Sequence, residues 1–290
     1  MSTLPKTATL IVNAQSRRGR DLFTQAKSLI EASGITLDAA YALDKPAKLQ
    51  ATVKTAVDSG SAMIIVGGGD GSLSGTVDLL VGKSCVFALL PLGTANSFAR
   101  SLTIPLDLAG AVDVIANGKR RAIDLGMIDN DYFCNAAAIG LAPLIAETVP
   151  HWLKRWFGRV GYLTWAAISL VRFRPFELII DGEHLFATEV RIANGSFMGG
   201  TELIEDANAR SGELVVQVVI GKTRFSLLKS WSTSMLRLPW RKTLTREFHG
   251  SEFRIETIPP LPISIDGEIL ARTPVTARIA ARVIDMALPR

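Results

Sequence analysis

The chemistry of this chain concentrates in three short stretches. The first is Gly67-Gly68-Gly69-Asp70-Gly71-Ser72, the second Pro91-Leu92-Gly93-Thr94-Ala95-Asn96-Ser97-Phe98-Ala99-Arg100, and the third Asp266-Gly267-Glu268. Glycines let backbone approach a ligand closely, and free N–H groups at a helix start attract anions. The first stretch therefore suits a phosphate. Thr94 and Asn96 add a hydroxyl and an amide beside a glycine. The third stretch sets two carboxylates side by side at a sharp turn. Each also has a plain reading. A glycine turn can simply pack a helix on a sheet, Thr94 or Asn96 can cap a helix, and Asp-Gly is a common hairpin turn. Asp181-Gly182-Glu183 repeats the third tripeptide, so those letters alone mean little.

Two phosphate motifs are imitated and not met. G-x-G-x-x-G fits Gly67 and Gly69, but Ser72 stands at the third glycine and no acidic residue follows the next strand. Gly82-Lys83-Ser84 resembles a P-loop end, but Val77 stands at its first glycine and the triplet precedes a strand.

The elements that must position these residues alternate. Ala8 to Val12, Ile35 to Ala42, Ala62 to Val66 and Cys85 to Leu90 read as strands. Helical spacing covers Asp21 to Ala32, Ala47 to Val57, Leu73 to Leu80 and Leu106 to Ala116. Alternation of this kind argues for a mostly parallel sheet with helices on both faces. Strand C-terminal ends share one rim in such a sheet, and ligands bind there. That rim gathers the loop after Asn13, the glycine turn and the Pro91 stretch. From Arg120 the texture changes to dense strands. These are Ala122 to Ile128, Tyr132 to Ala138, Phe176 to Ile180, Leu185 to Ala193, Leu214 to Ile220, Phe253 to Ile258, Pro262 to Ile265 and Val275 to Ile279. Turns such as Asp129-Asn130 separate them, which suggests a mostly antiparallel second domain.

Composition bounds the partners. The 290 residues allow two domains, 48% are hydrophobic, and the net charge is +5. A mild basic excess suits a phosphate substrate or an anionic membrane. Cys85 and Cys134 lie in apolar runs without C-x-x-C spacing or a nearby histidine, which argues for buried free thiols over zinc, and for a reducing cytosol. Met1 to Val12 lacks a signal-peptide core, and no apolar run reaches the ~20 residues of a membrane span. All five tryptophans (Trp152, Trp156, Trp165, Trp231, Trp240) fall in residues 151–174 and 214–246, among basic residues. Basic residues among tryptophans suit a helix lying on an anionic bilayer, and equally a core helix with a solvated basic face. Nucleic acid is not expected as a partner, since no recognition motif appears.

Together, in this order, the three stretches resemble the diacylglycerol kinase catalytic family, with its soluble bacterial lipid kinases and its sphingosine and ceramide kinases. Asn13 to Ser16 resembles the family's first nucleotide loop, and Asn135-Ala136-Ala137-Ala138-Ile139-Gly140 its asparagine-to-glycine segment. The likeness runs from about residue 8 to 280. It implies an N-terminal α/β nucleotide-binding domain (1–125), a C-terminal antiparallel β-sandwich for the lipid (126–275), and a final segment (276–290) returning to the first. ATP would sit in the cleft between them. The implied nucleotide contacts are Asn13, Gly67, Gly68, Gly69, Asp70, Gly71, Ser72, Thr94 and Asn96. Glu268 matches the family's proton acceptor, with Asp266 beside it. Magnesium would bridge the phosphates near Asp70. Ser72 replaces the commoner threonine, and Leu43 stands near a family threonine. Ser97 and Ser211 stand where relatives with a structural magnesium have aspartates, leaving Asn208 and Glu213 as matching positions. The resemblance implies a cytoplasmic, membrane-visiting kinase acting on a lipid hydroxyl, first diacylglycerol. The alternatives are a sphingoid base or ceramide as acceptor, a non-catalytic nucleotide- or lipid-binding relative, and a soluble nucleotide kinase such as an NAD kinase. A homodimer is compatible with the chain.

Overall fold

The computed structural model describes residues 3–14, 17–148, 165, 168–171, 173–223, 225–226, 229 and 244–290. Its N-terminal half is built on four parallel strands: β1 (Thr7–Asn13), β2 (Thr36–Leu43), β3 (Met63–Gly68) and β4 (Val86–Pro91). They lie in the order β2-β1-β3-β4. Every residue of β3 and β4 is buried. A strand covered by helices on both faces needs an unbroken apolar run, which explains Met63-Ile64-Ile65-Val66. The covering helices are α1 (Arg17–Ala32), α2 (Leu49–Asp58), α3 (Asp70–Val77) and α5 (Leu108–Asn117). A five-residue helix, α4 (Ser97–Ser101), follows β4 directly. It falls within the stretch read from sequence as a loop.

The C-terminal half is antiparallel. It holds β6 (Asp131–Phe133), β7 (Ala136–Gly140), β8 (Phe176–Ile180), β9 (Glu183–Ala193), the short pair β10 (Phe197–Met198) and β11 (Thr201–Glu202), β12 (Leu214–Ile220), β13 (Thr245–Gly250), β14 (Glu252–Ile258), β15 (Pro262–Ile265) and β16 (Glu268–Arg272). One helix, α6 (Leu141–Thr148), leaves the end of β7. In β14 the inward Phe253, Ile255 and Thr257 alternate with the outward Arg254, Glu256 and Ile258, as a strand with one face on a core must. That core joins Ile139, Leu178, Val190, Ile192, Val216 and Ile265, all fully or nearly fully buried.

Two strands run through both halves. β5 (Lys119–Ile128) and β17 (Val275–Leu288) pair antiparallel along almost their whole lengths. The start of β17 also pairs with β14, and its end lies parallel to β4 at Asp285 and Met286. A register shift at residues 280–284 separates the two ends. There Arg282 takes a left-handed φ of 56°. The buried Asp124 carboxylate accepts its N–H at 2.8 Å. One 15-stranded sheet therefore holds the parallel and antiparallel parts together.

Two sequence readings need correction. Tyr132 to Ala138 is two strands, β6 and β7, broken at Cys134-Asn135. The strand expected to end at Ile279 continues to Leu288. Trp165 is half-buried against the C-terminal core, and its indole N–H donates to Thr148 Oγ1 at 3.2 Å. That ring serves the fold. Trp152, Trp156, Trp231 and Trp240 lie outside the described residues. No described helix is long and apolar enough to cross a membrane.

Candidate functional site

β3 ends at Gly68, and Gly69 caps α3. Only glycine fits at several points here. A Cβ on Gly68 would lie 2.5 Å from Ser72 Oγ, and one on Gly67 would lie 2.9 Å from Val12 Cγ2. Gly67 and Gly68 are thus buried strand residues that allow close packing, and neither lines the two clefts described below. Ser72 and Leu73 donate their N–H groups back to the Gly69 carbonyl at 3.0 and 3.2 Å. The N–H groups of Asp70 and Gly71 come earlier in the first turn and have no carbonyl one turn back, so an anion can complete them.

Asp70 does something the sequence did not foretell. Its carboxylate accepts the backbone N–H groups of Ser97 (3.0 Å) and Phe98 (3.1 Å). It caps α4 from across the sheet and locks the glycine turn to the next loop. Asn96 is buried and turned inward. Its Oδ1 accepts the Gly93 N–H at 2.9 Å, while Nδ2 donates to the carbonyls of Gly93 and Pro91. Asn96 therefore braces its own loop. Gly93 then touches the glycine turn, where a Cβ would lie 2.5 Å from Gly69 Cα. Thr94 is exposed at the loop tip and lines neither cleft described below.

The Asp266-Gly267 turn joins β15 to β16, with φ of 45° and 99°. The Asp266 carboxylate accepts three successive N–H groups, from Cys134 (2.7 Å), Asn135 (3.1 Å) and Ala136 (3.2 Å). Those donors come from the break between β6 and β7, which explains that break. Burial, with the Asp70 charge in addition, pushes Asp266 up to about 6 against the pull of the three donors. Burial likewise holds the Cys134 thiol well above its ordinary value, with Asp266, Asp78 and Asp70 adding. Cys85 and Cys134 are buried and free, as their apolar settings led one to expect.

Two clefts meet across these turns. One, of about 550 Å³, is lined by Asn13, Pro46, Leu49, Gln50, Gly69, Gly71, Ser72 and Glu268. Asn13 Nδ2 reaches Ser72 Oγ at 3.4 Å, and its buried Oδ1 has no partner. Gln15 and Ser16, which follow it, lie outside the described residues. The other cleft, of about 370 Å³, is lined by Asp70, Asp266, Asn135 and Ser264 among Leu73, Phe98, Ala138, Pro143 and Met198. The Asp-Gly-Glu turn thus faces both ways, with Glu268 toward the glycine turn and Asp266 toward the apolar walls.

Metal donors are sparse. Asn208 and Glu213 bracket a loop that Ser211 bridges. Its hydroxyl lies 2.9 Å from the Asn208 carbonyl and 3.2 Å from that of Glu213. The hydroxyl thus bridges the two carbonyl oxygens, and no carboxylate joins them there among the described residues. Among the described residues, Asp206, Glu247 and His249 form the one His/Asp/Glu group close enough to share a cation, and they line neither cleft. Asp70 keeps lone pairs beyond its two N–H bonds. A magnesium ion, which keeps waters and phosphate oxygens, needs little more from protein.

Two family models match the chain. The diacylglycerol kinase catalytic domain matches residues 7–128. The YegS C-terminal NAD kinase beta sandwich-like domain matches residues 137–288. The chain belongs to the diacylglycerol kinase catalytic-domain family. It is a lipid kinase. It is 27% identical to the "Probable lipid kinase YegS-like" of Enterobacter sp. (strain 638), covering 100% of this chain and 98% of that protein. It is also 27% identical to a "Diacylglycerol kinase" of Staphylococcus aureus (strain JH9), covering 98% of this chain and 93% of that one. A crystal structure described as a diacylglycerol kinase from Bacillus anthracis str. Sterne superposes with a TM-score of 0.76 at 20% identity, covering 99% and 98% of the two chains. At that identity the likeness carries the fold alone, and the fold it carries is a parallel α/β part joined to an antiparallel β-sandwich.

Proposed function

We propose that this lipid kinase binds Mg–ATP at the glycine turn and transfers the γ-phosphate to the hydroxyl of a neutral lipid, with diacylglycerol as the first acceptor. The observation that carries this reading is the pair of clefts meeting at the two turns. The cleft at the glycine turn offers backbone N–H groups and Asn13, which suits a triphosphate. The apolar cleft suits a lipid with a small polar head. Glu268 sits on the nucleotide side of the Asp-Gly-Glu turn. A lipid hydroxyl reaching past Asp266 toward the γ-phosphate would bring its proton to this carboxylate as the P–O bond forms.

In this reading Gly69, Gly71 and Ser72 hold phosphates. Asp70 and Asn96 act as positioning residues, since their side chains fix the turn and loop around the site. Mg²⁺ enters with the nucleotide and neutralises its charge. The protein would work from the cytoplasm at a membrane surface, because a two-chain lipid does not leave its bilayer. The exposed Val171, Phe186 and Phe225 and the net charge of +5 are compatible with that.

The test is transfer of labelled γ-phosphate from ATP to a panel in mixed micelles: diacylglycerol, monoacylglycerol, sphingosine, ceramide and phosphatidylglycerol. Label in diacylglycerol supports the reading. Label only in sphingosine or ceramide changes the acceptor. ATP binding with no labelled lipid turns the reading into a binding protein without turnover.

A further inference from the structure

The apolar cleft contains one polar group that the fold holds in place and leaves unused. Asn135 is 8% exposed. Its backbone N–H goes to Asp266 Oδ1, and its carbonyl accepts the N–H groups of Asn194 and Gly195, both at 2.9 Å. Its Oδ1 accepts from Ser101 Oγ at 3.1 Å. Ser101 Oγ also accepts the Phe197 N–H at 3.1 Å. With the amide oxygen on Ser101, Nδ2 is the free end of the side chain. Glycine at 195 is required by the same arrangement, because a Cβ there would lie 2.4 Å from Asn135 Oδ1. With every other polar atom of the residue clamped, Nδ2 has no partner among the described residues. It is also absent from the sealed orphan atoms, which are Asn13 Oδ1, Arg191 Nε and Asn194 Oδ1. A nitrogen that is neither bonded nor sealed opens onto the cleft that Asn135 lines.

An open amide donor on the wall of a mostly apolar cleft offers a ligand one directed hydrogen bond. The candidates differ in charge. A phosphate would face Asp70 and Asp266, both in the same cleft. A neutral carbonyl oxygen would not be repelled, and the walls around it are Leu73, Phe98, Ala138, Pro143 and Met198. We infer that Asn135 Nδ2 recognises the acceptor through an acyl carbonyl close to its hydroxyl. The ligand class is an acylated lipid alcohol, as opposed to an ether lipid or a free sphingoid base. This rests on the kinase reading above and narrows its acceptor.

The experiment compares 1,2-diacylglycerol with its 1,2-dialkyl ether, which keeps hydroxyl and chains and lacks the carbonyls. The readout is kcat/KM for each in mixed micelles. Wild-type enzyme should favour the ester about tenfold, the scale of one lost hydrogen bond in a desolvated site. In Asn135→Asp, which keeps an oxygen for Ser101 and loses the donor, the ester-to-ether ratio should fall toward one, through KM. Asn135→Ala should do the same. A wild-type ratio near one, or a ratio that neither variant changes, overturns the inference, and the first result needs no variant to fold. If neither lipid is labelled, the kinase reading itself fails and this inference with it.

Discussion

At the residue scale, the two carboxylates of one turn do different work. Glu268→Gln should retain ATP binding and lose about 10²–10⁴-fold in turnover, the range for a lost general base. Equilibrium nucleotide binding and label transfer on the same preparation check both halves, and wild-type turnover would remove Glu268 from the mechanism. Asp266 should make stability depend on pH. Its folded-state value of about 6 lies above the ordinary 3.8. The folded state therefore holds the proton more tightly, and stability gained below 3.8 is lost as pH rises through 6. Between pH 4.5 and 7.5 wild-type should lose about 2 kcal/mol relative to Asp266→Asn, whose side chain does not titrate. Denaturant unfolding at the two pH values reads this, and a pH-independent difference would contradict it. The sequence could not separate Asp266 from Asp181, since both begin an Asp-Gly-Glu tripeptide and both take a left-handed φ in a hairpin. What separates them is the partner. Asp181 accepts one N–H from Arg254, whereas Asp266 accepts three at the break before β7.

At the element scale, α4 depends on a cap supplied from α3. Asp70→Ala removes both carboxylate acceptors at the α4 start and should cost about 1 kcal/mol, as lost caps do. Thermal unfolding checks it. Gly93→Ala should weaken ATP binding at least severalfold, because the added Cβ must displace the glycine turn at Gly69. Calorimetric titration with nucleotide would show it, and unchanged affinity would uncouple the Gly93 loop from the phosphate site. The parallel strands were legible because buried β-branched runs leave few alternatives, and β8, β12 and β15 matched to the residue. The latter part of β17 was hidden by Arg278, Arg282 and the register shift, which interrupt alternation. Helix α4 was hidden because its cap, Asp70, is remote in sequence.

At the scale of the molecule, β5 and β17 belong to both halves. The expected result is a single cooperative calorimetric transition, which Met286→Asp should lower as a whole. Met286 is fully buried where β17 meets β4, and an unpaired charge there cannot be solvated. Two separated transitions would show that the halves fold independently. The alternation of strands and helices was enough to place the Asn13 loop, the glycine turn and the Pro91 stretch on one rim. Their division between two clefts was not, because it depends on which way each turn faces.

The shared strand also sets how the enzyme can move. A hinge between halves usually lies in a loop that absorbs rotation freely. Here the connection at residues 275–288 is hydrogen-bonded strand for most of its length. Opening by separation would tear a ladder, whereas a change of strand twist keeps it. The left-handed Arg282, held by Asp124, is the natural pivot for that torsion. Any change of angle between the two halves is therefore spread along a hydrogen-bonded strand and not taken up at a free linker.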